Sequence, residues 1–552
     1  MLLSVKNLST TLESGKETIK AVDGVSFSLD RGQTFCLVGE SGSGKSITAL
    51  SIIDLLPSGI SLRQADEILL TDSSGKARDI NQLDESAMQD IRGARISMIF
   101  QEPMTSLNPV FTVGEQILEA LQIHFPELSH AEAWDKVIHA LEAVQLPEPE
   151  VRAKSYPHQL SGGQRQRIMI AMAMACEPDL LIADEPTTAL DVTVQEEILR
   201  LMQELQARTG MGILFITHDF GVVARMADQV GVMKQGRLVE VGSVDQVIHT
   251  PRHPYTQSLI AALPENLDRT QVVQSEVGSS QGEDEEALIS VRDLEVHFPV
   301  RKGLLRRQVD SVRAVDSVDL EIHKGQILAL VGESGSGKTT LGRGILRLIE
   351  PTGGSVLYGK DEITGLSKSS MRRFRRNMQI IFQDPMSSLN PRLSIAAILT
   401  EPMKVHGIGE SHEDRIERAR DLLEQVQMDE ASLWRYPHEF SGGQRQRIGI
   451  ARALTLEPSF IVCDEITSAL DVSVQAEILQ MLLELREQRD LTLLFITHNI
   501  GVVEFVSDEV AVMHQGKIIE QGATTSVVNN PQKTYTQDLL SAVPRVPKKR
   551  LA

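Results

Sequence analysis

Cysteine and aromatic residues are scarce in this chain of 552 residues. It contains three cysteines, and phenylalanine, tyrosine and tryptophan together make up only 4% of it. Cys36, Cys176 and Cys463 are far apart and lie in apolar stretches, so they offer no paired spacing for a zinc or iron–sulfur site. We therefore expect three buried thiols and a reducing compartment.

Positive charge and long hydrophobic runs are also lacking. Asp and Glu number 75 against 55 Lys and Arg, a formal net charge of −20, which argues against a nucleic-acid partner. The longest strongly apolar run free of charge is Ile168–Cys176, whereas a membrane span needs about 20 such residues. The N-terminus has neither a basic start nor a long apolar run, so we expect no signal peptide.

Two copies of a glycine-rich motif stand out against this background. Both Gly39–Ser46, GESGSGKS, and Gly332–Thr339, GESGSGKT, fit the phosphate-loop pattern. Each follows an apolar run, Thr34–Val38 or Ile327–Val331, and precedes a helix-compatible run, which predicts a strand, a loop and a helix. Glycines let backbone N–H groups close around phosphates, and the helix N-terminus adds positive charge. The candidate nucleotide-binding residues are Gly39, Glu40, Ser41, Gly42, Ser43, Gly44, Lys45, Ser46, Gly332, Glu333, Ser334, Gly335, Ser336, Gly337, Lys338 and Thr339.

The whole chain is an internal repeat. His218 and His498 are 280 residues apart, and Asp184 and Asp464 keep the same spacing. We predict a first domain over 1–264, a second over 288–552, and a flexible linker over 265–287, because that stretch is rich in Ser, Gln and acids. The middle of each half shows helical spacing of apolar residues, at Glu115–Leu121, Ala131–Val144 and Glu413–Val426, which predicts a helical subdomain inserted into an α/β core.

Each half contains an apolar strand that ends in two carboxylates, Asp184-Glu185 and Asp464-Glu465. Burying acids at a strand end is costly unless they have a function. The aspartate can hold Mg²⁺, directly or through water, and the glutamate can polarise an attacking water. Two surface acids at a strand end are the alternative, which the phosphate loop in each half disfavours.

A further motif, SGGQ, opens a predicted helix in each half. Its residues are Ser161, Gly162, Gly163 and Gln164, and Ser441, Gly442, Gly443 and Gln444. A serine and two glycines at a helix N-terminus offer donors to an anion. Because a phosphate loop already serves each half, a second anion cradle makes sense if it completes the site of the other half.

Taken together and in this order, twice, these motifs resemble the ATP-binding cassette (ABC) ATPases over nearly the whole chain. The resemblance implies two tandem α/β domains, each a RecA-like P-loop core with an inserted helical subdomain, that pair head to tail around ATP and Mg²⁺. It implies that Gln101 and Gln383 sense Mg²⁺ and the attacking water, and that His218 and His498 sense the γ-phosphate. The implied catalytic residues are Glu185, Glu465, His218, His498, Gln101 and Gln383, and the implied metal-site residues are Ser46, Gln101, Asp184, Thr339, Gln383 and Asp464.

The subfamily is also indicated. FQEPMTSLNP at Phe100–Pro109, FQDPMSSLNP at Phe382–Pro391 and HPYTQSL at His253–Leu259 are similar to oligopeptide/dipeptide importer ATPases. The fused layout and FPVRKGLLRRQVD at Phe298–Asp310 are most similar to the Yej-type peptide and microcin C importers. The resemblance implies two integral-membrane permease subunits, a periplasmic binding protein and a place on the cytoplasmic face of the inner membrane. A fused glutathione-importer ATPase and a soluble tandem ABC ATPase outside transport are the alternatives.

Two departures from the family pattern bear on the sites. Ile466 stands where the family has proline, whereas Pro186 keeps it in the first half. Since proline favours an extended conformation of the residue before it, we expect Glu465 to be held less firmly and its site to hydrolyse more slowly. The position of the adenine-stacking aromatic is Leu12 in the first half and Phe298 in the second, so we expect weaker adenine packing in the first.

Overall fold

The computed structural model describes residues 1–14, 17–57, 59–72, 74–101, 106–188, 190–269, 287–302, 307–468 and 470–546. Residues 270–286 of the predicted linker lie outside the described residues, as do 102–105 and 303–306 of the two subfamily motifs. The chain forms two compact units, one of Met1–Ile260 with Pro544–Ala552 and one of Ala261–Val543. None of the helices described there has the length and apolar character to cross a membrane.

Unit 1 carries eleven strands and ten helices among its described residues. The strands are β1 (Leu3–Ser14), β2 (Glu17–Leu29), β3 (Thr34–Val38), β4 (Ser61–Gln64), β5 (Glu67–Thr71), β6 (Ala77–Asp79), β7 (Ile96–Ile99), β8 (Leu180–Asp184), β9 (Gly212–Thr217), β10 (Gln229–Lys234) and β11 (Arg237–Ser243). The helices are α1 (Lys45–Ile52), α2 (Glu85–Gln89), α3 (Val113–His124), α4 (His130–Ala143), α5 (Pro149–Arg152), α6 (Gly162–Met174), α7 (Val192–Thr209), α8 (Phe220–Met226), α9 (Val244–His249) and α10 (Pro254–Ala261, whose last residue is the first of unit 2).

Unit 2 repeats the arrangement. Its strands are β12 (Ala287–Lys302), β13 (Arg307–His323), β14 (Ile327–Val331), β15 (Gly353–Tyr358), β16 (Asp361–Glu362), β17 (Met378–Ile381), β18 (Phe460–Asp464), β19 (Thr492–Ile496), β20 (Glu509–His514) and β21 (Lys517–Ala523). Its helices are α11 (Lys338–Ile345), α12 (Lys368–Asn377), α13 (Pro385–Ser388), α14 (Ile395–His406), α15 (His412–Gln425), α16 (Gly442–Leu454), α17 (Val472–Arg489), α18 (Ile500–Val506), α19 (Thr524–Asn529) and α20 (Thr534–Ser541).

A mainly parallel sheet forms the centre of each unit. The strand order is β11-β10-β3-β9-β8-β7 in unit 1 and β21-β20-β14-β19-β18-β17 in unit 2, with only the β10–β11 and β20–β21 pairs antiparallel. The central strands β3, β8, β14 and β18 are buried along their whole length. Strands buried on both faces have continuous apolar sequences, and the predicted strands Thr34–Val38 and Ile327–Val331 are confirmed.

A second, antiparallel sheet packs against the first in each unit. In unit 1 the order is β2-β1-β5-β6, with β4 also paired to β1. Apolar side chains of both sheets and of α1 share one core, which includes Leu8, Phe35 and Leu214. In this arrangement the phosphate loops leave the carboxyl ends of β3 and β14, where α/β proteins bind ligands.

The predicted helical regions are confirmed as α3, α4 and α15. Thr112 and Ser129 begin α3 and α4 through reciprocal capping boxes with Glu115 and Glu132. Such caps satisfy backbone donors that a helix start leaves unpaired, which explains why these helices begin where they do.

Candidate active site

The two phosphate loops have nearly the same backbone geometry. Gly44 and Gly337 precede α1 and α11 with φ of 102° and 107°, a region that favours glycine. A Cβ on Gly44 would lie 2.4 Å from the carbonyl oxygen of Ala21, and one on Gly337 would lie 2.0 Å from that of Ala314. These glycines are therefore required both by conformation and by close packing.

The loop lysines lie inside the cradle that the glycines form. Lys45 is buried and its Nζ donates to the carbonyl oxygens of Gly39 at 2.6 Å and Glu40 at 2.9 Å. Lys338 makes the equivalent bonds at 2.7 and 2.8 Å. Each ammonium is thus held within its loop by two backbone carbonyl oxygens.

The hydroxyls of the loops fit a bound phosphate. Ser43 Oγ and Ser336 Oγ are buried and make no hydrogen bond to the residues that the structure describes. Buried polar atoms are normally paired. A Cβ on Gly42 or Gly335 would meet nothing within 4 Å, which leaves the outer side of each loop open. The residues present therefore fit a phosphate-bearing cofactor.

A hydroxyl and a carboxylate meet beside each loop. Ser46 Oγ donates to Asp184 Oδ1 at 3.0 Å, and Thr339 Oγ1 donates to Asp464 Oδ1 at 2.7 Å. Oxygen ligands of this kind suit Mg²⁺, which is held by one or two protein groups plus phosphate. Burial raises the pKa of Asp184 to about 6, and it also raises the pKa of Asp464. Because burial disfavours the charged form of both carboxylates, a cation bound beside either one would stabilise it.

The neighbouring glutamates occupy an uncommon backbone conformation. Glu185 and Glu465 have φ of 46° and 48°. Non-glycine residues in this region cost free energy and cluster at functional sites. In each unit the glutamate N–H donates to the strand beside it, at Ile216 O (2.9 Å) and Ile496 O (3.0 Å), which holds the turn.

The extended conformation expected for Glu185 on account of Pro186 is therefore wrong. Glu185 and Glu465 adopt the same left-handed conformation despite proline after one and isoleucine after the other. The turn at the end of the strand fixes both residues, so the difference between the two sites has to come from side chains.

Three side chains hold the Glu185 carboxylate. Gln101 Nε2 and Thr188 Oγ1 each donate to Glu185 Oε2 at 2.9 Å, and His218 Nδ1 lies 3.2 Å from Oε1. Burial by itself would raise the pKa of Glu185, but the hydrogen bond and charge of His218 outweigh it and lower that pKa to about 2. Likewise, burial disfavours charged His218, yet the contact with Glu185 raises the pKa of His218.

The second site holds its glutamate with fewer contacts. Gln383 Nε2 donates to Glu465 Oε2 at 2.8 Å, whereas His498 Nδ1 lies 3.6 Å from Oε1. Ser468, the counterpart of Thr188, donates to the carbonyl oxygen of Glu465 and not to its carboxylate. Burial opposes a charged Glu465, but His498 and Lys338 lower its pKa nonetheless.

Two side chains that lie at the candidate sites, Thr188 and Arg343, were not identified from the sequence. Thr188 gave no signal beyond its place in the repeat, opposite Ser468. Arg343 lies one turn after Thr339 on α11, and its Nη2 is 3.6 Å from Asp464 Oδ2. The first half has Leu50 at that position. A comparison of the two halves residue by residue would have found both differences.

The SGGQ motifs begin helices α6 and α16 as predicted. Ser161 caps α6 by accepting from the N–H of Gln164 at 3.3 Å, and the Gln164 side chain accepts from Ser161 N at 3.1 Å. Ser441 and Gln444 repeat the capping box in α16. Each motif thus presents a helix N-terminus, the preferred place for an anion.

Phe298 lies on β12 with 42% of its surface exposed, beside exposed Val312 on β13. An exposed aromatic ring on a strand is available to stack on a flat ligand. Its counterpart Leu12, on β1, is half-buried and offers no ring. The predicted difference between the two adenine positions stays a prediction.

Within each unit, then, the structure brings together a phosphate loop, a hydroxyl–carboxylate pair suited to Mg²⁺, a positioned carboxylate, a glutamine and a histidine. These groups define a P-loop ATPase with two nucleotide sites that bind ATP with Mg²⁺. The chain belongs to the ABC transporter family: the model of that family matches residues 22–188 and 315–468. The model described as oligopeptide/dipeptide transporter, C-terminal region, matches residues 239–287 and 519–552.

Curated relatives match almost the entire chain. The glutathione import ATP-binding protein GsiA of Escherichia coli (strain K12) is 48% identical over 559 residues, covering 98% of this chain and 89% of that protein. GsiA of Salmonella paratyphi A (strain ATCC 9150 / SARB42) is 46% identical over the same shares. Among solved structures, the dimeric post-hydrolysis state of the ATP-binding cassette MJ0796 bound to ADP and Pi covers 44% of this chain and 99% of that chain, with 29% identity and a TM-score of 0.39.

Proposed function

We propose that this chain is the ATP-hydrolysing subunit of a bacterial ABC importer that energises uptake of peptides through a separate membrane permease. The observation that carries the proposal is the duplicated catalytic set in a chain that import ATP-binding proteins match over 98% of its length. The match to the C-terminal region of oligopeptide/dipeptide transporters after each half supports a peptide as cargo.

Each ATP site is composite in this proposal. Gly39–Ser46 works with Ser441, Gly442 and Gly443, and Gly332–Thr339 works with Ser161, Gly162 and Gly163. The glycines that open the two helices support this pairing, because a Cβ on Gly442 would meet nothing within 4 Å and one on Gly162 only Leu190 at 4.0 Å. Nothing within the described part of their own unit requires these positions to be glycine, whereas a phosphate from outside would.

Hydrolysis follows from the residues around each carboxylate. Glu185 and Glu465, kept ionised by their histidines, accept a hydrogen bond from the attacking water and orient it toward the γ-phosphate. Lys45 and Lys338 neutralise charge that develops on the phosphate oxygens. Gln101 and Gln383 donate hydrogen bonds to the two glutamates and so connect each glutamate to the segment that follows the glutamine. Bound Mg²⁺ adds charge stabilisation at the phosphates. In this scheme ATP binding closes the halves and hydrolysis reopens them.

The segment after Gln101 is the proposed contact with the permease. Phe100, Val110 and Phe111 are large apolar side chains with 43%, 70% and 51% of their surface exposed around it, and Met386 is 51% exposed in the second half. Exposed apolar residues that lie close together mark interaction sites. The proposed partners are two integral-membrane subunits at the cytoplasmic face of the inner membrane, fed by a periplasmic binding protein.

Import of glutathione is the second candidate. It is favoured by the relatives, whose names describe glutathione import at 46–48% identity. Glutathione is itself a short peptide, so both candidates share the ATPase and differ in what the permease and binding protein select.

Affinity purification of the tagged chain from detergent-solubilised membranes tests the transport function. The expected result is two distinct multi-span membrane proteins in equal amounts. Uptake of labelled glutathione and of labelled di- and oligopeptides, in cells with and without the chain, then separates the two candidates. Recovery of ribosomal or DNA-repair proteins, with no membrane protein bound, would overturn the transport function and leave the ATPase.

A further inference from the structure

The boundaries of the two units do not coincide with the boundaries of the sequence repeat. Helices α10 and α20 stand at equivalent places in the two halves, 280 residues apart. The chain nevertheless joins unit 2 from Ala261 onward, at the end of α10, and joins unit 1 again from Pro544, just after α20. Each unit therefore includes a short segment that follows the last helix of the other half.

The segment that follows α10 packs against α18 of unit 2. Pro264–Asn266 forms a 3₁₀ turn there. A Cβ on Gly501 would lie 3.2 Å from Glu265 Oε2 and 3.3 Å from Pro264 Cβ. Leu267 packs against the apolar core that contains Val502 and Phe505. The contact is thus close and partly apolar.

An ion pair fixes the end of the same segment. Arg269 Nη1 donates to Ser507 O at 2.9 Å, and its Nη2 pairs with Asp508 Oδ1. The other oxygen of Asp508 accepts from Arg486 Nη2 at 3.0 Å and from Ile327 N at 2.8 Å. Asp508 therefore serves two guanidinium groups at once.

The first half has no arginine at the position equivalent to Arg486. Asp228, the counterpart of Asp508, accepts from Thr34 N at 2.7 Å, and Gln206 stands in place of Arg486. Arg269 and Arg486 thus share Asp508 at the place where residues 264–269 pack against the rest of unit 2.

The segment that follows α20 contacts α8 of unit 1 by its backbone. A Cβ on Gly221 would lie 2.3 Å from the carbonyl oxygen of Pro544 and 2.8 Å from its carbonyl carbon. Gly221 lies within a helix, so its backbone conformation does not demand glycine. The requirement comes from the close approach of Pro544.

The two contacts are equivalent places in the repeat. Gly221 and Gly501 are 280 residues apart, and each is the second residue of a helix that begins two residues after a catalytic histidine, His218 or His498. A proline stands at the start of each incoming segment, Pro264 and Pro544.

We propose that α8 and α18 are docking surfaces for the proline-led segment of the opposite half, and that the two exchanged segments hold the halves of the chain together in the absence of nucleotide. The partner of each surface is the other half of the same chain. His218 adjoins α8 and His498 adjoins α18. A conformational change at either ATP site is therefore transmitted directly to the other half through the docked segment. The link does not depend on ATP binding.

The test is cleavage of the full chain at a protease site placed within 270–286, followed by size-exclusion chromatography without ATP or Mg²⁺. The two fragments of the otherwise wild-type chain are expected to elute together in a 1:1 ratio. The same cleavage in a chain carrying Gly221→Ala and Arg269→Ala is expected to release them as separate species. Gly449→Ala is the matched control, because that helical glycine has nothing within 4 Å of its would-be Cβ.

Circular dichroism of the uncleaved double variant shows whether it is folded. If it is not, truncation after Val543 combined with Arg269→Ala replaces it. Separation of the cleaved wild-type fragments would overturn the proposal, and so would joint elution of the fragments of a folded double variant. Since ATP is absent, failure here is distinct from failure of the proposed ATP-dependent pairing.

Discussion

At the scale of single residues, the two glutamates proposed to be catalytic, Glu185 and Glu465, differ in the contacts of their carboxylates. Glu185 accepts from Gln101 and Thr188 and lies 3.2 Å from His218, whereas His498 is 3.6 Å from Glu465 and Ser468 bonds elsewhere. A carboxylate held from several sides keeps a water in one orientation, which is what a positioning mechanism requires. The first site is therefore expected to hydrolyse ATP faster.

Substitution of each glutamate by glutamine tests this difference. Either change is expected to reduce turnover at its own site by roughly 10²-fold or more, the usual range for a general base. Glu185→Gln is expected to remove the larger share of the total rate, measured as phosphate release at saturating ATP, while ATP binding is retained. Equal losses from Glu185→Gln and Glu465→Gln would contradict the asymmetry.

Arg343 is expected to make the proposed metal sites unequal as well. Its guanidinium lies 3.6 Å from Asp464. In the proposed metal site it would compete with Mg²⁺ for that carboxylate, whereas Leu50 would leave Asp184 to the metal. Arg343→Leu is expected to raise the affinity of the second site for Mn²⁺ several-fold, about 1 kcal/mol, the upper end for an ion pair with a solvent-exposed partner. The affinity is measured by electron paramagnetic resonance with ATP present and the first site disabled by Lys45→Ala.

Leu50→Arg, with the second site disabled by Lys338→Ala, is the reciprocal control and is expected to lower affinity. An Arg343→Leu chain with unchanged Mn²⁺ affinity would show that the arginine turns away when nucleotide binds.

The pKa of Asp184 predicts a pH dependence of metal binding. Burial raises that pKa to about 6, so the group is charged above pH 6 and protonated below it. Because Mg²⁺ needs the charged form, the affinity of the first site is expected to fall roughly tenfold per pH unit below 6 and to be flat above it. Isothermal titration with Mg²⁺ in a Lys338→Ala chain measures this, and an unchanged slope in Asp184→Asn would contradict it.

At the scale of elements, the strands and helices that position the sites followed from sequence. The apolar runs Thr34–Val38 and Ile327–Val331 gave β3 and β14 with their observed bounds, because fully buried strands leave an unbroken apolar signature. The two strands expected to end in Asp-Glu end one residue earlier, at Asp184 in β8 and Asp464 in β18, because the glutamates adopt a left-handed conformation. The helix-compatible run after the first phosphate loop, Ser46–Leu56, is only partly helical, because α1 spans Lys45–Ile52 and a turn follows it.

Other features had no local signal. The left-handed φ of Glu185 depends on a hydrogen bond to Ile216, a contact with another strand. The packing of Leu267 depends on a core built from residues of the second half of the sequence, from Ile327 onward. Only the folded chain brings such partners together, so neither followed from composition or spacing.

The two glycines of each SGGQ motif are expected to respond differently to alanine. A Cβ on Gly443 would lie 2.4 Å from Val474 Cγ1 on α17, so Gly443→Ala is expected to destabilise the second unit by about 1–3 kcal/mol. Gly442 faces open space, so Gly442→Ala is expected to leave thermal unfolding unchanged while ATP hydrolysis falls. Differential scanning calorimetry together with phosphate release distinguishes them, and full activity of Gly442→Ala would argue against an anion at that helix start.

At the scale of the whole molecule, the sequence repeat predicts two equivalent ATPases, and the structure shows two units with the same sheet order and different side chains around the active centres. Pro186, Thr188 and Leu50 in the first half stand against Ile466, Ser468 and Arg343 in the second. Such differences fit a catalytic cycle in which the two sites hydrolyse ATP at different rates. In the proposed cycle, the two halves complete each other's sites.

Cross-linking of the phosphate loop to the SGGQ motif of the other half tests this most directly. In a Glu185→Gln, Glu465→Gln background, the cysteine pair Ser41→Cys with Gly442→Cys is expected to cross-link only with Mg-ATP, and Ser41→Cys with Gly162→Cys is expected not to. The three native cysteines are buried and contribute little background. Cross-linking of the second pair instead of the first, or of the first pair equally with and without ATP, would contradict head-to-tail closure on ATP.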